Sequence, residues 1–475
     1  MKNLSYLLSL LLLACAGQPE GSSMEVNWVA STAGQPWVVK TTKVSKDASD
    51  GTEEPGVIKV YPPKMQQEID GFGGCFNELG WEALQVLPAD RQDSLLNAVF
   101  DPMDGCRFTL CRMPLGANDY AVDWYSHNEV AGDFEMRNFS IARDRERLIP
   151  YIKKAQQINP AIEVWASPWS PPSWMKINNH YACNPDKVND LKPEGKGQEM
   201  VSQFRMEEAY LTAYAHYFSK FVSAYAEEEI DISAVHVQNE PNSCQNFPSC
   251  VWHPDDLATF IGDYLGPKLA ADHPQTKLWL GTIERPQIER VSAILEHPEA
   301  KKYIKGVGFQ WAGKGAIPKV NTAYPDLRLM QTETECGNGS NDWAAAEHTF
   351  GLMKHYFNNG ANAYLYWNIF LNETGKSQWG WKQNSMISIN SADGKVVFNP
   401  EFYLMKHFSH FIGAGFVKVE SSDASCLAFR KGSELIIVYY NDGDAVAQQF
   451  TIGDVKLDVR LAAQSFNTFR VDIGT

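Results

Sequence analysis

The chain has 475 residues, which is too long for one ordinary hydrophobic core and predicts two domains or one large barrel with an accessory module. Hydrophobic residues make up 44% of it and charged residues 21%, as is usual for a globular protein. The formal charge of −15, with no basic stripe to offset it, argues against nucleic acid as a partner.

Residues 1–24 have the pattern of an export signal followed by a tether. A lysine precedes a largely apolar run over residues 4–14, which is too short to span a bilayer. Leu12-Leu13-Ala14-Cys15 resembles a bacterial lipobox, in which the cysteine becomes the lipidated first residue. A plain signal peptide cut after Ala14 or Ala16 is the alternative. We expect an exported protein: a lipoprotein of the bacterial cell envelope (outer membrane, surface or periplasm) anchored only through Cys15, or a secreted protein.

Eight of the nine cysteines follow Cys15, and export would permit disulfide bonds between them. Cys244 and Cys250 lie in one loop and are the best candidate pair, whereas spacing does not give the connectivity of the others. The sequence contains neither the Cys/His spacing of a zinc site nor a His-Glu-x-x-His motif. We therefore expect no metal and no other cofactor.

Short apolar segments alternate with long amphipathic ones through the middle of the chain. Such alternation predicts a parallel sheet, and eight units over roughly 340 residues fit a closed (β/α)8 TIM barrel better than an open sheet. We place this barrel at residues 66–404. Its strands are predicted at residues 69–75, 108–114, 162–168, 232–238, 277–282, 306–311, 327–333 and 363–370, and helices at 142–158, 207–228, 255–271, 288–303 and 343–358.

Both ends of the chain carry short, half-polar runs that are typical of antiparallel strands. In the C-terminal part these runs lie at residues 417–421, 426–430, 435–440, 447–452 and 468–471, separated by Gly, Asp and Ser turns. Similar runs at residues 28–30, 37–40 and 57–61 lack a core of their own, so we expect them to pair with the C-terminal sheet. The predicted fold class is therefore α/β, a barrel with an attached β-sandwich domain built from residues 25–65 and 405–475.

Two glutamates lie at the carboxyl ends of predicted barrel strands, where the active sites of such barrels lie. Glu240 ends the fourth strand and Glu333 the seventh, on opposite sides of the barrel mouth, so inward-pointing side chains can flank one sugar. Cleavage of a glycosidic bond needs two carboxyls, one to protonate the leaving oxygen and one to attack or to activate water. A single glutamate at this rim would be interpreted as a solvated loop carboxylate, but the pair of glutamates predicts a glycosidase.

Two further rim residues fit this chemistry. Arg112, at the end of the second strand, is the candidate that keeps one carboxylate ionised, with a structural ion pair inside the barrel as an equal alternative. Asn239, immediately before Glu240, would hydrogen-bond the sugar 2-hydroxyl, with a turn-forming Asn before Pro as the alternative. The substrate class is thus an oligo- or polysaccharide.

Five motifs in chain order resemble those of glycoside hydrolase family 30: Gly71-Phe72-Gly73-Gly74, Arg112-Met113-Pro114, Ser167-Pro168-Trp169, Gln238-Asn239-Glu240-Pro241 and Thr332-Glu333. This family includes lysosomal-type glucosylceramidases and microbial endo-β-1,6-glucanases, and the resemblance covers nearly all of the chain after the predicted tether. It implies a barrel with a β-sandwich built from both chain ends, and it implies Glu240 as acid/base and Glu333 as nucleophile of a retaining enzyme. The two carboxyls should then lie about 5–5.5 Å apart.

The resemblance also implies how several other residues meet the sugar. Asp119 would bind sugar hydroxyls, and Trp169 and Trp367 would face the sugar. Independently of the resemblance, Trp311 and Trp379 are expected to stack on sugar faces at flanking subsites, because aromatic rings cover sugar rings, as are Trp174 and Trp381, with packing under loops as the alternative for each. The Gly- and Asn-rich sequence around Trp379 favours its exposure.

The sequence departs from the glucosylceramidase pattern at two strand ends. Thr332-Glu333-Thr334-Glu335-Cys336 replaces Ser-Glu-Ala-Cys, and strand alternation would put Glu335 on the face of Glu333 as a rival nucleophile. We favour Glu333, because the last inward residue of a barrel strand lies nearest the substrate. At the sixth strand, Phe309-Gln310-Trp311 replaces a His-x-Tyr arrangement, which disfavours glucosylceramide as substrate.

Thr334-Glu335-Cys336-Gly337-Asn338-Gly339 and the Gln238 before Asn-Glu-Pro look more like the bacterial endo-β-1,6-glucanase branch of the family. Two alternatives stay open at this stage. One is an exo-acting β-glucosidase or glucosylceramidase-like hydrolase, and the other is a non-catalytic, surface glycan-binding lipoprotein, which would be expected to lack one of the two carboxylates.

Overall fold

Twenty strands and ten α-helices make up the part of the chain that the computed structural model describes, residues 24–46 and 56–474. Cys15 and the predicted signal lie outside the described residues. The strands are β1 (Met24–Thr32), β2 (Gln35–Lys46), β3 (Val57–Glu68), β4 (Gly71–Cys75), β5 (Leu110–Pro114), β6 (Glu163–Ser167), β7 (Ile232–His236), β8 (Lys277–Ile283), β9 (Ile304–Gln310), β10 (Arg328–Glu333), β11 (Ala363–Asn368), β12 (Phe370–Asn372), β13 (Ile387–Ile389), β14 (Val396–Phe398), β15 (Val417–Ser421), β16 (Cys426–Lys431), β17 (Glu434–Asn441), β18 (Val446–Ile452), β19 (Val455–Leu461) and β20 (Ser465–Asp472).

The helices separate the central strands. They are α1 (Glu78–Gln85), α2 (Ala89–Phe100), α3 (Leu148–Ile158), α4 (Glu208–Glu227), α5 (Pro254–Thr259), α6 (Gly266–Asp272), α7 (Ile288–Leu295), α8 (Ile317–Ala323), α9 (Trp343–Asn358) and α10 (Pro400–Ser409).

Strands β4 to β11 form a closed barrel in which each strand is parallel to the next and β11 pairs with β4. The predicted (β/α)8 barrel is confirmed, and each of its eight strands begins and ends within two residues of the predicted bounds. Their residues are buried almost throughout, since helices cover the outside and side chains fill the inside. This burial explains why these strands appear in the sequence as continuous apolar runs.

Three predicted helices differ from the structure. The predicted helix at residues 142–158 begins only at Leu148, after a separate 3-10 turn, Asp144–Glu146. The predicted helix at residues 255–271 is broken, because a π-helical segment, Phe260–Leu265, separates α5 from α6. The predicted helix at 288–303 ends with α7, and Pro298 gives the reason, since a residue before proline is disfavoured in the helical conformation. A single 3-10 turn, Ala300–Lys302, follows before the next strand.

The second domain is a nine-stranded sheet assembled from both ends of the chain. Its strand order is β1-β2-β19-β18-β3-β15-β16-β17-β20, and the pairing of β1 with β20 closes the sheet on itself. The prediction that the N-terminal strands pair with the C-terminal ones is confirmed. Strand β19 was not predicted, although its Val, Leu, Val and Leu alternate with polar residues in the pattern of a half-buried strand.

Helix α10 joins the two domains. His407 on this helix is fully buried, with Nδ1 at 2.8 Å from the hydroxyl of Thr468 on β20 and Nε2 at 2.8 Å from the hydroxyl of Ser31 on β1. Burial lowers the pKa of this imidazole to about 3, so it is neutral. One side chain thus connects the barrel to the first and the last strand of the second domain.

The described cysteines are all free thiols, and the predicted bond between Cys244 and Cys250 is wrong. The thiol of Cys250 is buried and lies 3.9 Å from the carbonyl oxygen of Val251, while Cys244 packs its sulfur against Gly197. Within the described ranges, no helix is long and apolar enough to cross a membrane.

Candidate active site

The carboxyl ends of the barrel strands surround a cavity of about 500 Å³. Six of the nine residues predicted for the site line it, namely Asp119, Trp169, Asn239, Glu240, Trp311 and Glu333. The other three, Arg112, Trp367 and Trp379, lie behind this wall. The cavity is also lined by Ser243, Gln245, Phe247, Glu284, Arg285, Ala312, Gly337, Trp381, Lys382 and Gln383.

Glu240 lies just beyond β7 in a backbone conformation that favours glycine, with a φ of 48°. Its amide nitrogen bonds the carbonyl oxygen of Thr282 at 3.0 Å, which helps to hold this conformation. The side chain accepts hydrogen bonds from two neutral amides, Gln310 Nε2 at 3.0 Å and Gln245 Nε2 at 3.2 Å. The positive φ of Glu240 costs about 1–3 kcal/mol of backbone strain, and this conformation directs its carboxyl into the cavity.

Glu333 ends β10, and its carboxylate faces the same cavity. One oxygen accepts from Arg112 Nη1 at 3.1 Å and from Gln310 Nε2 at 3.3 Å, and the other accepts from Trp311 Nε1 at 3.0 Å. The same Gln310 nitrogen therefore contacts Glu333 and Glu240. The two carboxyls therefore share one donor, which places them close enough to flank a single sugar.

Arg112 is fully buried beneath the cavity floor. Besides Glu333, its guanidinium donates to the side-chain oxygens of Ser167, Asn239 and Gln310 at 2.7 to 3.2 Å. Its charge also lies over three indole rings, of which that of Trp169 is nearest at 4.3 Å from the ring centre. The arginine thus makes an ion pair inside the barrel, and its partner is a cavity-lining carboxylate. Arg112 is therefore both the structural ion-pair residue and the cation placed to keep one carboxylate ionised.

Burial raises the pKa of both glutamates, and the position of Arg112 determines which of them loses its proton first. Burial raises the pKa of Glu333 to about 7, while the Arg112 charge and the nearby N–H donors oppose that rise. Burial also raises the pKa of Glu240, whose direct partners are neutral amides. Because only Glu333 is paired with a buried cation, the first proton lost from the pair leaves Glu333 and the remaining one stays on Glu240.

Asp119 and Asn239 present unused hydrogen-bonding atoms to the cavity. Within the described part of the chain, Asp119 Oδ1 has no partner although the residue is buried, and burial raises the pKa of its carboxyl. The side-chain oxygen of Asn239 accepts from Arg112 at 2.7 Å and from Thr282 at 2.8 Å. That arrangement directs the remaining donor atom of the Asn239 amide away from the protein interior, where a polar ligand can take it.

The tryptophans fall into two groups. Trp169 and Trp311 line the cavity, whereas Trp367 is buried behind Trp169 with ring centres 5.5 Å apart. The expected exposure of Trp379 is wrong, because only 4% of it is exposed and its ring packs edge-on to Trp124 at 4.9 Å. Its neighbour Trp381 lines the cavity instead. The remaining candidate, Trp174, is also buried and donates its indole N–H to the carbonyl of Asn128.

Glu335 does not share the face of Glu333, so that expectation is also wrong. Strand β10 ends at Glu333 after an irregularity in its pairing with β9, and the alternation of a strand does not continue beyond it. Glu335 is paired with Lys314 and lies 3.1 Å from His348 Nε2, outside the cavity. The geometry thus brings Glu333 alone, of the two rivals, close to Glu240.

Sequence reasoning assigned no site role to Gln310, Gln245, Glu284 or Arg285. Gln310, at the end of β9, entered only as a departure from the glucosylceramidase pattern, and Gln245 follows Glu240 by five positions, in the loop after the fourth barrel strand. Glu284 and Arg285 follow β8, the fifth barrel strand, to which no candidate had been assigned. Across residues 24–46 and 56–474, no group of three or more His, Cys, Asp or Glu side chains is placed to hold a metal ion.

Comparison with known proteins adds family relationships to this geometry. A sequence model of the "Glycosyl hydrolase family 30 TIM-barrel domain" matches residues 69–412. The chain is 28% identical over 418 residues to putative glucosylceramidase 1 of Caenorhabditis elegans, covering 82% of this chain and 76% of the relative. It is 25% identical over 388 residues to the endo-1,6-β-D-glucanase of Neurospora crassa, covering 77% and 76% respectively.

Two solved structures share the whole architecture. SrfJ from Salmonella typhimurium has a TM-score of 0.82 and 23% identity, covering 94% of this chain and 99% of that one. The endo-β-1,6-glucanase BT3312 has a TM-score of 0.79 and 22% identity, covering 95% and 99%. At these identities the likeness is one of fold, with the barrel and the second domain both included.

Proposed function

The chain belongs to glycoside hydrolase family 30, and from that premise we propose that it is an endo-β-1,6-glucanase that retains the configuration of the sugar it attacks. The observation that carries the proposal is the carboxylate pair, held to one Gln310 nitrogen and paired with Arg112 on one side only. That asymmetry supplies an ionised carboxylate and a protonated carboxyl within the same cavity, as double displacement requires.

In the proposed mechanism Glu333 attacks the anomeric carbon while Glu240 gives its proton to the departing oxygen. A glycosyl ester of Glu333 forms, and the leaving sugar departs as an alcohol. Glu240, now ionised, takes a proton from water as the water attacks the same carbon, which releases Glu333 and restores the original configuration. Arg112 remains paired with Glu333 throughout and favours it as a leaving group in the second step.

The choice of β-1,6-glucan rests on the cavity and on two relatives. The cavity is lined by carboxylate, guanidinium, hydroxyl and amide groups as well as aromatic rings, which suits hydroxylated units on both sides of the cleaved bond. The relative from Neurospora crassa and the solved structure BT3312 are both named endo-1,6-β-glucanases. A glucosylceramidase-like activity is the second candidate, favoured by the higher identity of 28% to the first Caenorhabditis elegans relative.

The test is a product profile. Linear β-1,6-, β-1,3- and β-1,4-glucans and glucosylceramide are incubated separately with the wild-type protein and with the Glu240→Gln variant. We expect oligosaccharides of several lengths from the β-1,6-glucan, formed first as the β-anomer in NMR spectra, and no comparable release by the variant. Glucose as the sole early product would support exo action instead, and release from glucosylceramide alone would support the second candidate. No release from any of the four, or from a β-xylan, would contradict the proposed function and favour a non-catalytic glycan-binding protein.

We further propose that the protein is exported and held at the cell envelope by a lipid on Cys15. The support is the sequence Leu12-Leu13-Ala14-Cys15 behind a short apolar run. The full chain and its Cys15→Ala variant are produced in a bacterial host fed a labelled fatty acid. Label and membrane association should be present in the first and lost in the second. Equal release of both into the medium would favour a plain signal peptide.

A further inference from the structure

The two carboxylates divide the mouth of the barrel into two halves. Glu240 follows β7 and Glu333 ends β10, so β8 and β9 lie on one side of the line between them and β11, β4, β5 and β6 lie on the other. Asp119 and Trp169 follow β5 and β6, whereas Arg285 follows β8. All three line the same cavity, so each half brings its own side chains to a bound substrate.

The proposed function, on which this inference rests, assigns a task to each half. The unpartnered carboxylate oxygen of Asp119 can accept from the hydroxyls of the sugar that is attacked, which places that sugar in the first half. The acid Glu240 must lie beside the oxygen that departs. The leaving group therefore extends into the half formed by β8 and β9, and Arg285 is the cationic side chain that meets it there.

Arg285 is fixed in position by two contacts. Its Nε donates to Glu199 at 3.1 Å, and its Nη1 donates to the backbone oxygen of Glu284 at 3.4 Å. About a third of the side chain is exposed, at 32%, and no residue of the two described ranges accepts a hydrogen bond from Nη2. A planar guanidinium held at two nitrogens loses little further rotational freedom when the third one binds a ligand.

Glu284 connects this arginine to the loop that follows Glu240. Its buried carboxylate accepts from the backbone nitrogen of Asn242 at 2.9 Å and from the hydroxyl of Ser243 at 2.8 Å. The same carboxylate oxygen lies 3.8 Å from Arg285 Nη1. Glu284 thus links the loop that follows Glu240 to the segment that carries Arg285.

We propose that Arg285 binds the hydroxyl groups of the leaving sugar and so selects a saccharide, rather than a lipid or another apolar alcohol, as the group released by cleavage. Hydroxyl oxygens accept hydrogen bonds from guanidinium donors, and an apolar leaving group offers no such acceptor. The residue contributes to cleavage only when a hydroxylated unit occupies its half of the cavity. Its effect must therefore depend on the leaving group, while the chemistry at Glu240 and Glu333 does not.

The experiment compares two substrates that share the attacked part and differ in the part released. One is a linear β-1,6-linked glucotetraose, and the other is the 4-nitrophenyl β-glycoside of the β-1,6-linked disaccharide. In the Arg285→Gln variant we expect kcat/KM for the tetrasaccharide to fall about 10- to 100-fold, as for loss of charged hydrogen bonds, and the aryl glycoside to be affected at least several-fold less.

The matched control is Arg290→Gln. Arg290 is paired with the same Glu199 and also touches Asn242 at 3.2 Å, but it does not line the cavity. It should reduce kcat/KM for the two substrates by the same small factor. Equal losses on both substrates in Arg285→Gln, or a selective loss in Arg290→Gln, would overturn the assignment of Arg285. A wild-type protein that cleaves neither substrate would instead refute the proposed β-1,6-glucanase function, and this inference with it.

Discussion

The two ends of the barrel use the same eight strands for opposite purposes. At the carboxyl ends, Glu240, Glu333 and Arg112 are buried together around one cavity. At the amino ends, apolar side chains form a separate cluster that includes Trp165, Trp279 and Met330. Between the two lies His236, fully buried, with its ring 4.0 Å from Trp165 and 5.1 Å from Trp279.

The difference between the two ends indicates that the amino end stabilises the fold, whereas the carboxyl end is less stable because it holds the groups that carry out the chemistry. Burial disfavours each ionised carboxyl at the cavity, and the positive φ angles of Glu240 and Trp311 add backbone strain there. The cluster around Trp279 buries large apolar rings and so stabilises the same strands through the hydrophobic effect. Substitutions at the two ends should therefore separate activity from stability.

The largest effect is expected at the nucleophile. Glu333→Gln preserves the size and some hydrogen bonds of the side chain but removes the attacking oxyanion, so kcat/KM on β-1,6-glucan should fall roughly 10⁴-fold or more. Thermal unfolding of the purified variant should remain cooperative, since the apolar end is untouched. Retention of more than about a tenth of the wild-type activity in initial-rate assays would exclude Glu333 as nucleophile.

At the opposite end, Trp279→Ala should reverse the pattern. Removal of this buried ring leaves a cavity and should lower the free energy of unfolding by about 3–5 kcal/mol, measured by urea denaturation. The fraction that is folded in buffer should keep a kcat/KM close to that of the wild type, because Trp279 touches none of the cavity-lining carboxylates. A folded variant with strongly reduced kcat/KM would mean that the two ends are coupled.

Glu240→Gln is expected to raise the stability of the folded protein at high pH, by less than Trp279→Ala lowers it. Burial holds the pKa of Glu240 in the folded protein above the value of about 4.3 for an unfolded chain. Below that value the carboxyl is protonated in both states and has no effect, and as the pH rises through the folded pKa the native state becomes less stable. The variant lacks this penalty, so its melting temperature should exceed that of the wild type at pH 8 but not at pH 3.5. An equal difference at both pH values would contradict the buried ionisation.

The apolar runs in the sequence predicted most of the fold, and the glutamates at the strand ends predicted the core of the site. Barrel strands have residues that are buried on both faces, so they stand out in the sequence, and residues at their ends converge because parallel strands share one rim. For the same reason Glu240 and Glu333 could be paired across 92 intervening positions. The end of β8, where Glu284 and Arg285 lie, was open to the same reasoning but received no candidate, and at the end of β9 only Trp311 was assigned, beside Gln310.

Other features depended on loop geometry that no strand or helix period encodes. Trp379 and Trp381 are two positions apart in one loop, yet one packs against Trp124 and the other lines the cavity. The thiols of Cys244 and Cys250 likewise lie in one loop but turn to different neighbours. Spacing along an irregular segment does not determine side-chain direction, because the backbone of a loop has no constant period and each turn changes the direction of the side chains that follow.

The smallest effect is expected at Glu335, and it tests how sharply the carboxyl end of the barrel is bounded. Glu335 lies two residues beyond Glu333, but its partners are Lys314 and His348, and Lys314 is itself 38% exposed. A partly exposed ion pair contributes about 0–1 kcal/mol, so Glu335→Gln should leave kcat/KM within roughly twofold of the wild type and change stability by no more than that amount. Initial rates on β-1,6-glucan, measured beside those of Glu333→Gln, provide the comparison. A loss at Glu335 as deep as that at Glu333 would mean that the end of β10 turns inward during catalysis, and that the polar region of the barrel mouth extends one strand repeat farther along the chain.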